Sequence, residues 1–175
     1  ATFVFDTVGN RTLMRDATGR YTYSFDAVSR VTQYRTPFTK VLTYVYDEVG
    51  KRARLWESSA GRYTYSYDAN NQLTRIINTG SVRSTLAYND AGQRTVLRPG
   101  NGTRVSYSYD AAGQTTQIFH RKSNGTSLLQ LDYRYDNAGN RTVLIEDASA
   151  ARVTWAYDKQ NQLIAENRTG TNAYR

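Results

Sequence analysis

One pattern returns along the whole chain and decides what it can fold into. An aromatic residue, a small or polar one and a second aromatic lead into Asp, two further residues, and Gly or Asn. Tyr63-Thr64-Tyr65-Ser66-Tyr67-Asp68-Ala69-Asn70-Asn71-Gln72-Leu73 shows it in full. It recurs at Phe3–Arg11, Tyr21–Arg30, Tyr44–Arg52, Tyr88–Arg94, Tyr107–Gln114, Tyr133–Arg141 and Trp155–Leu163. The acidic marks are Asp6, Asp26, Asp47, Asp68, Asn89, Asp110, Asp136 and Asp158, so the steps are 20, 21, 21, 21, 21, 26 and 22 residues. A period in this range is the signature of a repeat array, in which each unit buries its apolar surface only against its neighbours.

The alternation has a direct physical reading. The residue before each mark is always aromatic, from Phe5 and Phe25 through Tyr46 to Tyr157, and rings or Leu86 stand two positions earlier. A period of two places these side chains on one face of a strand. Tyr, Phe, Trp and the intervening Thr residues suit a half-buried pleated surface. Asp at the head of a turn accepts bonds from backbone N–H groups two or three residues on, which favours a type I turn. Gly9, Gly50, Gly92, Gly113 and Gly139, with Asn71 and Asn161, tolerate the left-handed conformation that closes such a hairpin with a bulge. Ser29 is the poor fit in that series.

The second strand of each hairpin presents a conflict. Met14, Tyr34, Leu55, Ile76, Leu97, Ile118 and Leu144 form an apolar series, broken by Glu166. Pairing the aromatic before each mark with Arg11, Val31, Arg52, Leu73, Arg94, Thr115, Arg141 and Leu163 gives that series the opposite parity. Either a bulge in the second strand restores the face, or both faces are partly covered. Return connections carry Gly19, Pro37, Gly61, Gly80, Pro99-Gly100, Asn124-Gly125 and Gly170, again turn residues. The 26-residue step holds an insertion near Lys122–Ser127, read as an extended hairpin or loop.

The expected fold is therefore all-β. Eight antiparallel hairpin repeats of about 21 residues form sixteen short strands in one continuous spiralling sheet, a partial shell or β-solenoid-like strip, over residues 1–175. Repeat phase at both ends points to a segment of a longer protein or polymer. No helix is needed.

Composition narrows the function. Thirteen of the 15 Tyr lie in the repeated motif, which a disordered chain would not arrange. Without cysteine there is no disulfide framework and no Cys-ligated metal site. No apolar run approaches the roughly 18–20 residues that span a bilayer as a helix. The net charge of +8 is spread along the chain with no dense basic run, so a nucleic-acid partner is not expected.

The Tyr-x-Tyr-Asp-x-x-Gly-x-Arg/Leu units resemble YD repeats, also called RHS repeats, and cover the whole chain. That family builds hollow β-sheet shells in bacterial polymorphic and insecticidal toxins and in teneurins. The resemblance implies a non-enzymatic shell or scaffold segment of a secreted or cell-surface bacterial protein, partnered by further repeats and an enclosed effector domain. The family's Pro-rich terminal core segment, associated with self-cleavage, has no counterpart: Pro37 and Pro99 are the only prolines, and neither follows Asp. An alternative is an extracellular filament, copies joining end to end through open sheet edges. A third is a glycan-binding surface built from exposed rings.

Individual residues add little chemistry. One carboxylate per repeat, each beside its own turn, offers neither paired acids nor a calcium cage, so no catalytic, cofactor or metal site is expected. His120, the sole histidine, reads as a surface residue near the insertion. Trp56, Trp155 and the tyrosines read as ladder packing, with stacking on sugars or bases as the rival. Arg11, Arg52, Arg94 and Arg141 recur at one position, where stacking on rings competes with tracking a polyanion. Sequons at Asn10, Asn101, Asn124, Asn140 and Asn167 are candidate glycan attachment sites.

Overall fold

The computed structural model describes residues 1–146 and 151–170. All regular structure in them is strand, sixteen in number, and the sheet order follows the chain from β1 to β16 with every described ladder antiparallel. The residues group into two compact units, Ala1–Arg83 and Ser84–Arg175. The first holds β1 (Thr2–Phe5), β2 (Arg11–Asp16), β3 (Gly19–Phe25), β4 (Val31–Arg35), β5 (Val41–Tyr46), β6 (Arg52–Glu57), β7 (Gly61–Tyr67) and β8 (Leu73–Ile77). The second is built from β9 (Arg83–Tyr88) beyond its first residue, β10 (Arg94–Arg98), β11 (Arg104–Tyr109), β12 (Thr115–Arg121), β13 (Ser127–Tyr135), β14 (Arg141–Glu146), β15 (Ala151–Tyr157) and β16 (Leu163–Thr169). The all-β hairpin array expected from the sequence is the fold observed.

The parity conflict is resolved by a bulge. In the first hairpin Phe5 pairs with Arg11 and Val4 with Leu13, so Thr12 is passed over. The same slip leaves out Thr32, Ala53, Thr74, Thr95, Thr116, Thr142 and Ile164. One extra residue flips every later side chain. Phe3 thereby faces Met14, Tyr23 faces Tyr34, Tyr44 faces Leu55, Tyr65 faces Ile76, Tyr107 faces Ile118 and Tyr133 faces Leu144. Thr12, Thr74 and Thr142 steady the slip by donating their hydroxyls to the carbonyls of Val4, Ser66 and Arg134 at 3.3, 3.1 and 3.3 Å.

Each Asp turn spans five residues. The Asp136 N–H donates to the Asn140 carbonyl and the Gly139 N–H to the Asp136 carbonyl. The carboxylate then accepts from the Ala138 and Asn140 N–H groups, both at 2.9 Å. The reach is thus two and four residues, not two and three. The residue before the last turn position must be left-handed, with φ 86° at Gly139 and 82° at Gly113. Ser29 adopts φ 63° all the same, and its hydroxyl accepts from the Asn10 side chain at 3.0 Å. The insertion becomes extra length in β12 and β13 closed by a turn over Lys122–Thr126. Among the described residues only Val105, Val143, Ala151 and Val153 are buried. Most strand residues are half-buried, as a sheet held by its own cross-strand pairs requires.

Candidate functional site

The face carrying the rings is a ladder linking successive repeats. The Tyr46 hydroxyl donates to the Val31 carbonyl at 2.8 Å, Tyr67 to Arg52 at 3.0 Å, Tyr109 to Arg94 at 2.8 Å, Tyr135 to Thr115 at 2.8 Å and Tyr157 to Arg141 at 3.0 Å. In every case the acceptor is the residue just before the bulge of the preceding repeat. The recurring arginines fill the gaps between rings. Arg52 lies 5.6 Å from the Tyr44 ring and 5.5 Å from Tyr65, and Arg11 sits 5.8 and 5.0 Å from Phe3 and Tyr23. Arg94 and Arg141 stack on Tyr107 and Tyr133 at 4.7 and 4.5 Å. These four are ring-stacking residues, and their planar cations are occupied by the ladder.

The turns form a second column. The Asn140 amide bridges to the Asn161 carbonyl oxygen at 2.8 Å, Gln93 reaches the Gly113 carbonyl at 2.9 Å and Lys51 reaches Asn71 at 2.5 Å. Three turn carboxyls, those of Asp6, Asp26 and Asp136, are held below the usual carboxylate range. The Asn140 side chain and backbone hold the Asp136 carboxyl below its usual range; for Asp26 the Arg30 backbone N–H does so, helped by the Arg30 side chain at 2.6 Å. Burial pushes the Tyr133 and Tyr109 hydroxyls up, against the pull of Arg141 and Arg94.

The opposite face is basic, and sequence reasoning missed it. Register places Arg15, Arg20, Arg35, Arg54, Arg62 and Arg75 of the first unit there, with no carboxylate from any strand. Among the described residues of the second unit it carries Arg98, Arg104, Arg121, Arg134 and Arg152 against Asp132 alone. The acids are concentrated in the turns and on the ring face. The missing signal was the bulge, since without it the parity of every second strand is wrong. Trp56 also belongs to this face, more than half exposed and cross-strand from Thr43 and Arg62. It borders a hollow of about 510 Å³ with Arg62, Thr64, Ile77, Asn78, Thr79 and Ser81.

The other singled-out residues are placed as follows. His120 is half-buried on the ring face, cross-strand from Val105 and Leu129, not a surface residue, because the lengthened β12–β13 ladder runs past it. The indole N–H of Trp155 donates to Glu166 at 2.8 Å, which explains an acid within the apolar series. The sequons divide. The side-chain nitrogens of Asn10 and Asn140 are engaged by Asp6 and Ser29 and by Asp136 and Asn161. Asn101 and Asn124 lie in exposed turns and use only their side-chain oxygens, toward Thr103 and Thr126. Asn167 is exposed on β16. Among the described residues no three His, Cys, Asp or Glu side chains are grouped to hold a metal ion.

With this geometry in hand, the chain matches the teneurin YD-shell family over residues 6–175. It belongs to that family. Three solved structures share the fold: a TcdB2–TccC3 structure, 19% identical with TM-score 0.75, covering 94% of this chain; TcdB2–TccC3 without its hypervariable C-terminal region, 21% identical with TM-score 0.72, covering 90%; and the Photorhabdus luminescens Tc holotoxin pore, 21% identical with TM-score 0.74, covering 90%. This YD-shell chain spans about a tenth of those chains, 10%, 9% and 9%. A comparison with curated proteins gave no match.

Proposed function

We propose that these residues are a wall segment of a YD-repeat shell in a secreted or surface bacterial protein of the toxin type, casing an effector domain without acting as an enzyme. The observation that supports this best is the ladder of tyrosine-to-bulge bonds. Each repeat offers the next the same carbonyl, so the wall extends by adding units rather than by building a new core. The family match points the same way. Its partners are then further repeats, or copies of itself, laid against the outer strands. Exposed Phe3 and Phe5 on β1 and Leu163 and Ile164 on β16 suit such a cover. Residues 1–175 act as one array under this reading.

The test is protease protection of the full-length protein that carries these residues. A cased effector resists digestion until the array is deleted or unfolded. Equal digestion of the effector with and without the array overturns the reading. A glycan-binding surface is a second reading, favoured by the exposed Trp56 ring beside its polar hollow; its measurement is loss of oligosaccharide binding in Trp56→Ala.

A further inference from the structure

Three arginines stand side by side on the basic face of the second unit. Arg104 and Arg121 are direct cross-strand partners. Continuing the Val96–Ser106 and Leu97–Val105 register by one residue brings Arg98 opposite Arg104. Directly opposed residues have Cβ atoms about 4.5–5.5 Å apart, and like charges at that spacing destabilise a sheet. Among the described residues no carboxylate pairs with any of the three. Among the described residues the ion pairs are Arg30–Asp26 and Arg168–Glu166, neither of them here. The strand carboxylate of this face in the second unit, Asp132, is taken by Gln117 and Gln130 at 2.8 and 2.7 Å.

The row also has a shaped floor. Arg98, Arg104, Arg121 and Lys122 line a hollow of about 270 Å³ closed by Gly102, Ser123 and Gly125. The two return turns meet so closely that a Cβ on Gly102 would lie 3.0 Å from that of Ser123. The Arg121 guanidinium is steadied over the Phe119 ring at 4.1 Å. Arg104, the middle of the row, keeps its Nε shielded from solvent with no hydrogen-bond partner. A shielded, unsatisfied cationic donor is costly unless a ligand accepts from it. We propose that this hollow binds a tetrahedral oxyanion, phosphate or a phosphate group carried on a small molecule, through the guanidinium forks of Arg98, Arg104 and Arg121 and the Lys122 ammonium. Planar forks suit paired oxygens of such a group, and a flexible ammonium adds charge at the rim. The site is independent of the shell reading and holds whether or not the wall encloses anything.

The test is titration of the 175-residue chain with inorganic phosphate against chloride at matched ionic strength, followed by calorimetry and by amide resonances. Saturable 1:1 binding that moves the amides of Gly102, Arg104, Ser123 and Gly125 is expected. Lys122→Gln, in an exposed turn, and Arg104→Gln should each weaken it at least tenfold, while Arg152→Gln on the same face should not. A parallel arm with glucose 6-phosphate separates a free anion from a carried one: tighter binding than inorganic phosphate identifies a carried group. Phosphate no better than chloride, or wild-type affinity in Lys122→Gln, overturns the proposal. So does binding of a short single-stranded oligonucleotide that phosphate cannot displace, which would mark a general polyanion face instead of a discrete pocket.

Discussion

Removing one oxygen tests whether the tyrosine ladder holds the repeats together. In Tyr109→Phe the ring and its packing remain, but the 2.8 Å bond to the Arg94 carbonyl is lost. A net hydrogen bond contributes about 0.5–1.5 kcal/mol, and an acceptor left shielded costs about 1–3 kcal/mol. The hydroxyl is part-buried, which places the expected loss near 1 kcal/mol. Tyr46, Tyr67, Tyr135 and Tyr157 make the same bond to different repeats. Their losses should add, because the sites share no partner. All five replaced together then remove about 5 kcal/mol, comparable with the whole stability of an ordinary domain. Phe25 is the natural vacancy in the series, so Phe25→Tyr should gain stability by up to about 1 kcal/mol. Urea unfolding followed by circular dichroism reads both directions as shifts in midpoint. Midpoints unchanged in Tyr109→Phe, Tyr135→Phe and their pair would refute the argument that this bond joins repeats.

Further expectations follow from the turns. The Asp26 and Asp136 carboxyls, held below the ordinary 3.8 of a free Asp side chain, stabilise the fold above that value and lose this contribution as pH falls through their folded pKa; the urea midpoint should be flat from neutral pH to about 5 and drop below 4. Gly139→Ala, with φ 86° and its new Cβ 2.9 Å from the Gln114 amide, should cost about 1–2 kcal/mol, whereas Gly139→Asn should cost less because Asn71 and Asn161 already occupy that position; midpoints decide it. Expressed in a glycosylating host, Asn101 and Asn124 should be occupied and Asn10 and Asn140 bare, as read by peptide mass spectrometry.

Much of this was legible because strands and turns write themselves locally. The ring alternation and the Asp-to-Gly spacing are contained within ten residues, and they fix strands, hairpins and the face of the rings. The bulge is different. It inserts one residue with no Gly or Pro to mark it, so the parity of Met14 or Leu55 could not be settled by alternation alone. The clue was present in the Thr at the slipped position, Thr12, Thr32, Thr74, Thr95, Thr116 and Thr142, whose hydroxyl can return a bond to the backbone. The row of Arg98, Arg104 and Arg121 was hidden for the same reason. These residues are scattered in sequence and meet only once register is known. Arg11, Arg52, Arg94 and Arg141, in contrast, drew notice by recurring, and they are bound up in the ladder.

The two kinds of connection give the sheet one ruled margin and one ragged margin. On the Asp side the gap between strands is always five residues, from 6–10 to 158–162. On the return side the gaps run two, five, three, five, five and five residues from 17–18 to 122–126. Length can therefore enter only where the bookkeeping of the bulge is not disturbed. The 26-residue step shows how, since its extra residues lengthen β12 and β13 toward the return side and leave the neighbouring Asp turns untouched. A foreign loop grafted at Asn124-Gly125 would lie on a margin already free to vary, while one grafted at Ala138-Gly139 would unlatch a turn from the next, which Asn140 holds through Asn161. Variation in such a wall is thus confined to one border, and that border is where descendants of this chain have room to acquire new surfaces.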